Sequence, residues 1–304
     1  MSTEKKSTTV SLVRTQSRLE GVPRAIALLK SNPVRGKSVV LKPNFNTADP
    51  APGSTHNDTL RALILTLQQM GVTRITLAER CGPYAPTKRV MKDKGIFELA
   101  QELGFDIVNL EELGADGWIH LHPEDSHWKD GFLFPRIYLE AESIVQTCCL
   151  KSHAYGGNFT LSLKNSVGMV AGKSYPYMQE LHSSPNIRQM IAEINTAYST
   201  DLVVLDGVDA FVKGGPDQGT RVQANIILAG SDRVAIDAMG VAILRLLGTT
   251  SQVSQGRIFE QDQIARAAEL GVGIKSPEQI QLATDDPDSE AFAKQVRDIL
   301  LKDR

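Results

Sequence analysis

The chain has 304 residues, 33 Lys+Arg against 35 Asp+Glu, and a formal net charge of -2. That length suits one family-sized α/β domain, or two lobes of about 150 residues each (1–150 and 151–304). A near-neutral balance without a block of basic residues gives no pull toward nucleic acid, so no nucleic-acid partner is expected. The first residues carry charges but no apolar run of signal-peptide length, and no stretch is apolar enough for a membrane helix. The expected location is therefore the cytoplasm, without a membrane partner; the sequence leaves oligomerisation open.

Strand-like runs alternate with helical patterns. A strand at 10–15 precedes a helix near 22–31. A strand at 38–44 precedes a helix at 58–70, with Asp58 as N-cap, an apolar stripe of Leu60, Leu63, Ile64 and Leu67, and Gly71 as terminator. A strand at 74–79, helical segments over 87–103 and a strand at 106–110 complete a βαβαβ pattern, which predicts a mostly parallel sheet with helices on both faces. Residues 111–142 read as an excursion with a hairpin. A buried strand follows at 143–151. Residues 159–165 alternate as a strand would, yet could equally open a helix. Then come a helix at 186–198, strands at 201–207 and 224–230, a helix at 231–248 with Ser231 as N-cap, a helix near 258–270, a short strand at 278–282 and a charged helix at 288–302.

In such sheets ligands bind beyond the carboxyl ends of the strands. Those ends carry Lys42-Pro43-Asn44-Phe45-Asn46, Glu79-Arg80, Lys151-Ser152-His153 and Asp206-Gly207. Lysine and asparagine present donors that suit carboxylate or phosphate oxygens. His56 precedes a helix start, where backbone N–H groups favour an anion. The densest segment runs from Lys151 to Asn165 around Gly156-Gly157, and Lys164 follows an apolar face, where burial would lower an amine's pKa. Residues 214–219 resemble a phosphate loop only superficially, since the G-x-x-x-x-G-K-[ST] pattern is missing; they read as a surface loop or lid. His120 and His122, at i and i+2, could share a metal with His127. Asp237, among apolar neighbours, needs a lysine or backbone N–H partner. Cys81, Cys148 and Cys149 are too few for a disulfide framework or for the four thiolates of a usual iron–sulfur cluster.

These elements together resemble the domain of unknown function 362 family. The resemblance is carried, in order, by Val39-Val40-Leu41-Lys42-Pro43-Asn44, Thr55-His56, Leu150-Lys151-Ser152-His153, Ser162-Leu163-Lys164-Asn165, Leu205-Asp206-Gly207 with Gly214-Gly215-Pro216, and Val234-Ala235-Ile236-Asp237-Ala238. Many members carry an appended ferredoxin-like segment with cysteine clusters. No such clusters occur here, so iron–sulfur electron transfer is not carried over. A looser similarity is to lactate racemases, two-lobed α/β proteins with lysine and histidines around a nickel-bearing cofactor; His56, His153, Lys151, Lys164 and His182 carry it.

The sequence thus predicts an enzyme acting on a small carboxylate- or phosphate-bearing metabolite, with isomerase or lyase proton-transfer chemistry favoured. Lys164 and His153 are the expected catalytic pair. Lys42, Asn44, Asn46, His56, Lys151, Asn165 and His182 would bind substrate. Glu79 and Asp206 would orient the base or hold a divalent metal. The alternative is a non-catalytic accessory protein that binds a metabolite, cofactor or metal cluster in the same crevice. Substrate and cofactor are not named by the sequence.

Overall fold

The structure is a computed structural model and describes residues 7–82, 85–172 and 175–302. Its strands are β1 (Thr8–Arg14), β2 (Ser38–Lys42), β3 (Arg74–Glu79), β4 (Asp106–Asn109), β5 (Trp118–Leu121), β6 (Phe132–Pro135), β7 (Ser143–His153), β8 (Asn158–Thr160), β9 (Leu202–Gly214), β10 (Gly219–Gly230) and β11 (Ile280–Ala283). Among the described residues nine of these strands form one sheet, in the order β11-β1-β10-β9-β7-β2-β3-β4, with β8 paired to β7. The run from β9 through β7, β2 and β3 to β4 is parallel. Strands β1 and β10 add an antiparallel flank. The boundary expected near residue 150 falls inside β7, and both halves of the chain contribute to the same sheet.

Alternation along the strands explains why both faces are covered. Leu12, Cys148, Leu150, Val203, Leu205 and Leu228 pack under the helix Arg233–Leu246. Their neighbours Val13, Val145, Val204 and Ile227 point the other way, with Leu41 and Leu77, onto the helices Arg18–Ala27 and Asn57–Gln69. Side chains one residue apart face opposite sides of a strand, so a sheet that is apolar at both parities must be buried twice. All eleven residues of β7 are buried, as befits the central strand.

The excursion at 111–142 contains the expected hairpin: β5 and β6 form their own antiparallel pair. It lies over a third core with Trp128, Phe132, Phe134 and Tyr138. Residues 158–165 adopt both forms that the sequence allowed, β8 followed by a one-turn helix, Ser162–Asn165. Two caps differ from expectation. His56, not Asp58, caps Asn57–Gln69, its Nδ1 accepting the Asp58 N–H at 3.0 Å. Asp232, not Ser231, caps Arg233–Leu246 by accepting the Ala235 N–H at 2.9 Å. In each case the residue immediately before the helix takes the orphan N–H.

Strand order fixes where a ligand could sit. From β2 the chain winds outward to β3 and β4; it then returns to the other side of β2 as β7 and continues outward to β9. The winding direction reverses between β2 and β7. Such a switch point opens a crevice beyond the carboxyl ends of the two strands.

Candidate ligand cavity at the sheet switch point

A cavity of about 790 Å³ occupies that crevice. Its lining includes Lys42, Asn44 and Asn46 after β2, Glu79, Arg80 and Cys81 after β3, and Lys151 and His153 at the end of β7. Thr160, Lys164 and Asn165 follow from β8 and the one-turn helix, His182 from the helix Tyr177–Ser183, and Pro216 and Asp217 from the β9–β10 turn. Four cationic side chains (Lys42, Arg80, Lys151, Lys164) face two carboxylates, those of Glu79 and Asp217.

The floor is a fixed ion pair. Lys42 Nζ stands 2.7 Å from Glu79 Oε1 and donates to the Pro43 carbonyl at 2.8 Å and Asn165 Oδ1 at 3.2 Å. Glu79 also accepts the backbone N–H groups of Phe45 (3.0 Å) and Arg80 (2.8 Å). Burial pushes Lys42 down and Glu79 up, and their mutual attraction opposes both shifts. These contacts let Glu79 orient Lys42. A Cβ on Gly168 would lie 2.8 Å from Glu79 Oε1 and 2.9 Å from Lys42 Nζ, so only glycine fits over the pair. Arg80 is spent on carbonyls: its guanidinium donates to Val170 at 2.7 Å, Val167 at 2.6 Å and Cys81 at 3.0 Å. It ties the 167–170 segment to β3 while adding positive potential.

Lys151 is buried and donates to the carbonyls of Gly53 (2.6 Å) and Pro216 (3.1 Å). That leaves one of its three N–H donors for a ligand. The 214–219 turn is fastened in place, because Ser152 Oγ donates to Gly214 O at 3.2 Å and the Ala154 N–H to Gly215 O at 3.2 Å.

His153 Nδ1 accepts two backbone N–H groups, those of Tyr155 and Gly157, each at 3.2 Å. The ring proton therefore belongs on Nε2. Burial, then the nearby Lys164 and Lys151, push this imidazole down to about 2, so it is neutral and a hydrogen-bond donor rather than a base.

Lys164 differs from the other cations. Among the described residues nothing pairs with its ammonium, and burial with the nearby Lys151 pushes it down to about 8. Its placement is exact in origin: Asp237 Oδ1 accepts the N–H of Ser162 at 2.8 Å and of Leu163 at 3.2 Å, starting the one-turn helix that carries Lys164. This supplies the partner that Asp237 needed, and burial still pushes the carboxyl up to about 8. A Cβ on Gly157 would sit 2.9 Å from His153 Nδ1 and 3.1 Å from Lys164 Cε, so glycine allows the two to approach. Asn44 Oδ1 and Thr160 Oγ1, both on the lining, are buried without a hydrogen-bond partner among the described residues. His182 Nδ1 lies 2.7 Å from the Met178 carbonyl, which places a proton on Nδ1 and leaves Nε2 as an acceptor at the exposed mouth.

Of the residues expected from sequence, the cavity gathers Lys42, Asn44, Asn46, Glu79, Lys151, His153, Lys164, Asn165 and His182. Two stand outside its lining. His56 is occupied as a helix cap. Asp206 is not at a strand end at all: β9 continues to Gly214, with a register shift against β7 between Cys149 and Leu150. Its carboxylate binds Arg18 (2.7 Å) and Thr59 (2.6 Å). Thr160 was not anticipated, and Arg80, Pro216 and Asp217, though noted at a strand end or in the 214–219 loop, were given no binding role. His127 does not join His120 and His122, because Glu193 Oε1 holds its Nδ1 at 2.6 Å. The three cysteines are buried free thiols, and burial raises each of them, which makes them poor nucleophiles.

Residues 39–242 match the family described as Domain of unknown function (DUF362). The chain belongs to this family. A thylakoid-associated protein of Synechocystis sp. (strain ATCC 27184 / PCC 6803 / Kazusa) is 26% identical over 254 residues, covering 78% of this chain and 74% of that one. Among solved structures, the lactate racemase apoprotein from Thermoanaerobacterium thermosaccharolyticum superposes with a TM-score of 0.47 at 13% identity, covering 94% of this chain and 85% of that one. The matched stretch takes in β2, β7 and the one-turn helix, elements that build the cavity. No helix among the described residues is long and apolar enough to cross a membrane.

Proposed function

We propose that the cavity binds a small carboxylate- or phosphate-bearing metabolite and that Lys164 moves a proton on it, in isomerase or lyase chemistry. The observation that carries this reading is Lys164 itself: a buried amine, without a partner among the described residues, beside a neutral imidazole in a cation-rich cavity. The ligand's anionic group would take the spare donor of Lys151 and the hydroxyl of Thr160, while Asn44 Oδ1 would accept from a hydroxyl elsewhere on the ligand. His153 Nε2–H would donate to a carbonyl oxygen as negative charge develops there. Lys164, with a pKa near 8, would accept the proton from the adjacent carbon and return it to that carbon or to a leaving group. His153 then serves as an electrophilic donor, and Lys164 alone as the base.

The test is a thermal-shift screen of carboxylates and phosphates, followed by proton NMR of each binder in D2O. Wild type should wash deuterium into the carbon next to the carbonyl, and Lys164→Ala should not. Binders that exchange no proton with wild type would favour the non-catalytic binding reading. Equal exchange with Lys164→Ala would remove Lys164 as the base.

A further inference from the structure

We propose that the outer end of the β5–β6 hairpin is a surface site for a borderline transition-metal ion, Zn2+ or its neighbours, held by His120, His122 and Asp130. The site is separate from the cavity and does not depend on its function. One ligand atom from each of the three residues lies within 4.8 Å of the others. Two imidazoles and one carboxylate form the donor set such ions prefer.

The hairpin builds this arrangement. His120 lies on β5 and His122 two residues on, so both project from one side of the extended chain. Their ring centroids are 4.2 Å apart. Asp130 comes from the return limb, with Oδ1 3.5 Å from His122 Nδ1. It reaches there because Gly131 turns the chain at φ +66, where a Cβ would collide with the Leu121 carbonyl oxygen. A side chain at that position would force the limbs apart. Below the turn the limbs are held by the register Leu121↔Phe132 and by the Lys129 N–H, which donates to Glu180 Oε1 at 2.7 Å.

The pairing of His122 with Asp130 lies within the trio itself. Among the described residues the His120 ring has no hydrogen bond, in contrast to His127 and His153, whose ring nitrogens are engaged. Tetrahedral zinc with bonds of about 2.0–2.1 Å sets its ligand atoms roughly 3.4 Å apart. Small rotations of exposed side chains close the remaining gap, and water would complete the coordination.

The experiment is isothermal titration of the full chain, free of any affinity tag, with ZnCl2 in a non-chelating buffer. One Zn2+ should bind per chain. The variants His120→Ala, His122→Ala and Asp130→Asn should each weaken binding by about 10-fold or more. Circular dichroism spectra matching wild type would show that these exposed substitutions leave the fold intact. Absence of zinc binding by wild type would overturn the proposal. So would binding that persists in the His120→Ala/His122→Ala double variant and disappears in His182→Ala, since the ion would then sit in the cavity.

Discussion

Two buried polar regions of this protein hold similar charges in opposite ways. Behind the cavity, Arg18 joins Asp206 and Asp209 at 2.7 and 2.8 Å, Thr59 adds a bond to Asp206, and Arg221 adds one to Asp209 at 2.9 Å. Every charge there has a partner, and the cluster fastens two helices to β9 and β10. In the cavity, Lys42 and Arg80 are matched as thoroughly, yet Lys164 has no partner among the described residues. Desolvating a charge without compensation is costly. A fold that keeps one such group beside two unpartnered polar atoms, Asn44 Oδ1 and Thr160 Oγ1, carries that cost where a ligand could offset it.

The comparison breaks first on stability. Arg18→Ala should lower the unfolding free energy by about 3–5 kcal/mol, because it leaves buried Asp206 and Asp209 short of their shared cation. Urea denaturation measures this. A loss below about 1 kcal/mol would mean that the matched cluster is not holding the helices down.

Lys164→Met should do the reverse and raise stability near neutral pH by up to about 3 kcal/mol, while removing any proton exchange. The sign follows from linkage. The folded-state pKa of about 8 lies below the ordinary lysine value of 10.5. Below pH 8 the native state carries the full penalty of a buried charge. Between pH 8 and 10.5 the unfolded chain binds the extra proton, so wild-type stability rises with pH. The advantage of Lys164→Met should therefore shrink across that window and vanish above it. An advantage that stays constant with pH would place its origin in packing.

Smaller effects sharpen the same contrast. Gly157→Ala would press on His153 Nδ1 and Lys164 Cε. It should weaken binding of a thermal-shift ligand by about 10-fold with a stability loss of about 1 kcal/mol. Unchanged affinity would show that the two side chains need not sit this close. His56→Ala should cost about 1 kcal/mol through loss of the helix cap and leave ligand affinity unchanged. A selective loss of affinity would return His56 to the binding site.

The sequence made the cavity legible where side chains follow directly from a strand end. Lys42, Glu79, Lys151 and His153 terminate parallel strands, and parallel strands bring their carboxyl ends to one edge. Asp206 misled because nothing local shows that β9 runs on for eight more residues to Gly214, or that a register shift at Cys149/Leu150 rearranges its neighbours. His56 misled because a cap and a ligand contact ask for the same position. The strand-or-helix choice at 159–165 was undecidable from periodicity, since Asp237, 75 residues from Ser162, supplies the acceptor that starts the helix. Long-range contacts of this kind leave no mark in a short window.

Lys164 is a buried amine with no partner among the described residues, and its own titration tests this most directly. Carbon NMR of protein labelled at lysine Cε, with the resonance assigned through Lys164→Arg, would follow that group alone. The midpoint should lie near pH 8 and move upward when an anionic ligand fills the cavity. A midpoint near the ordinary 10.5 would contradict it.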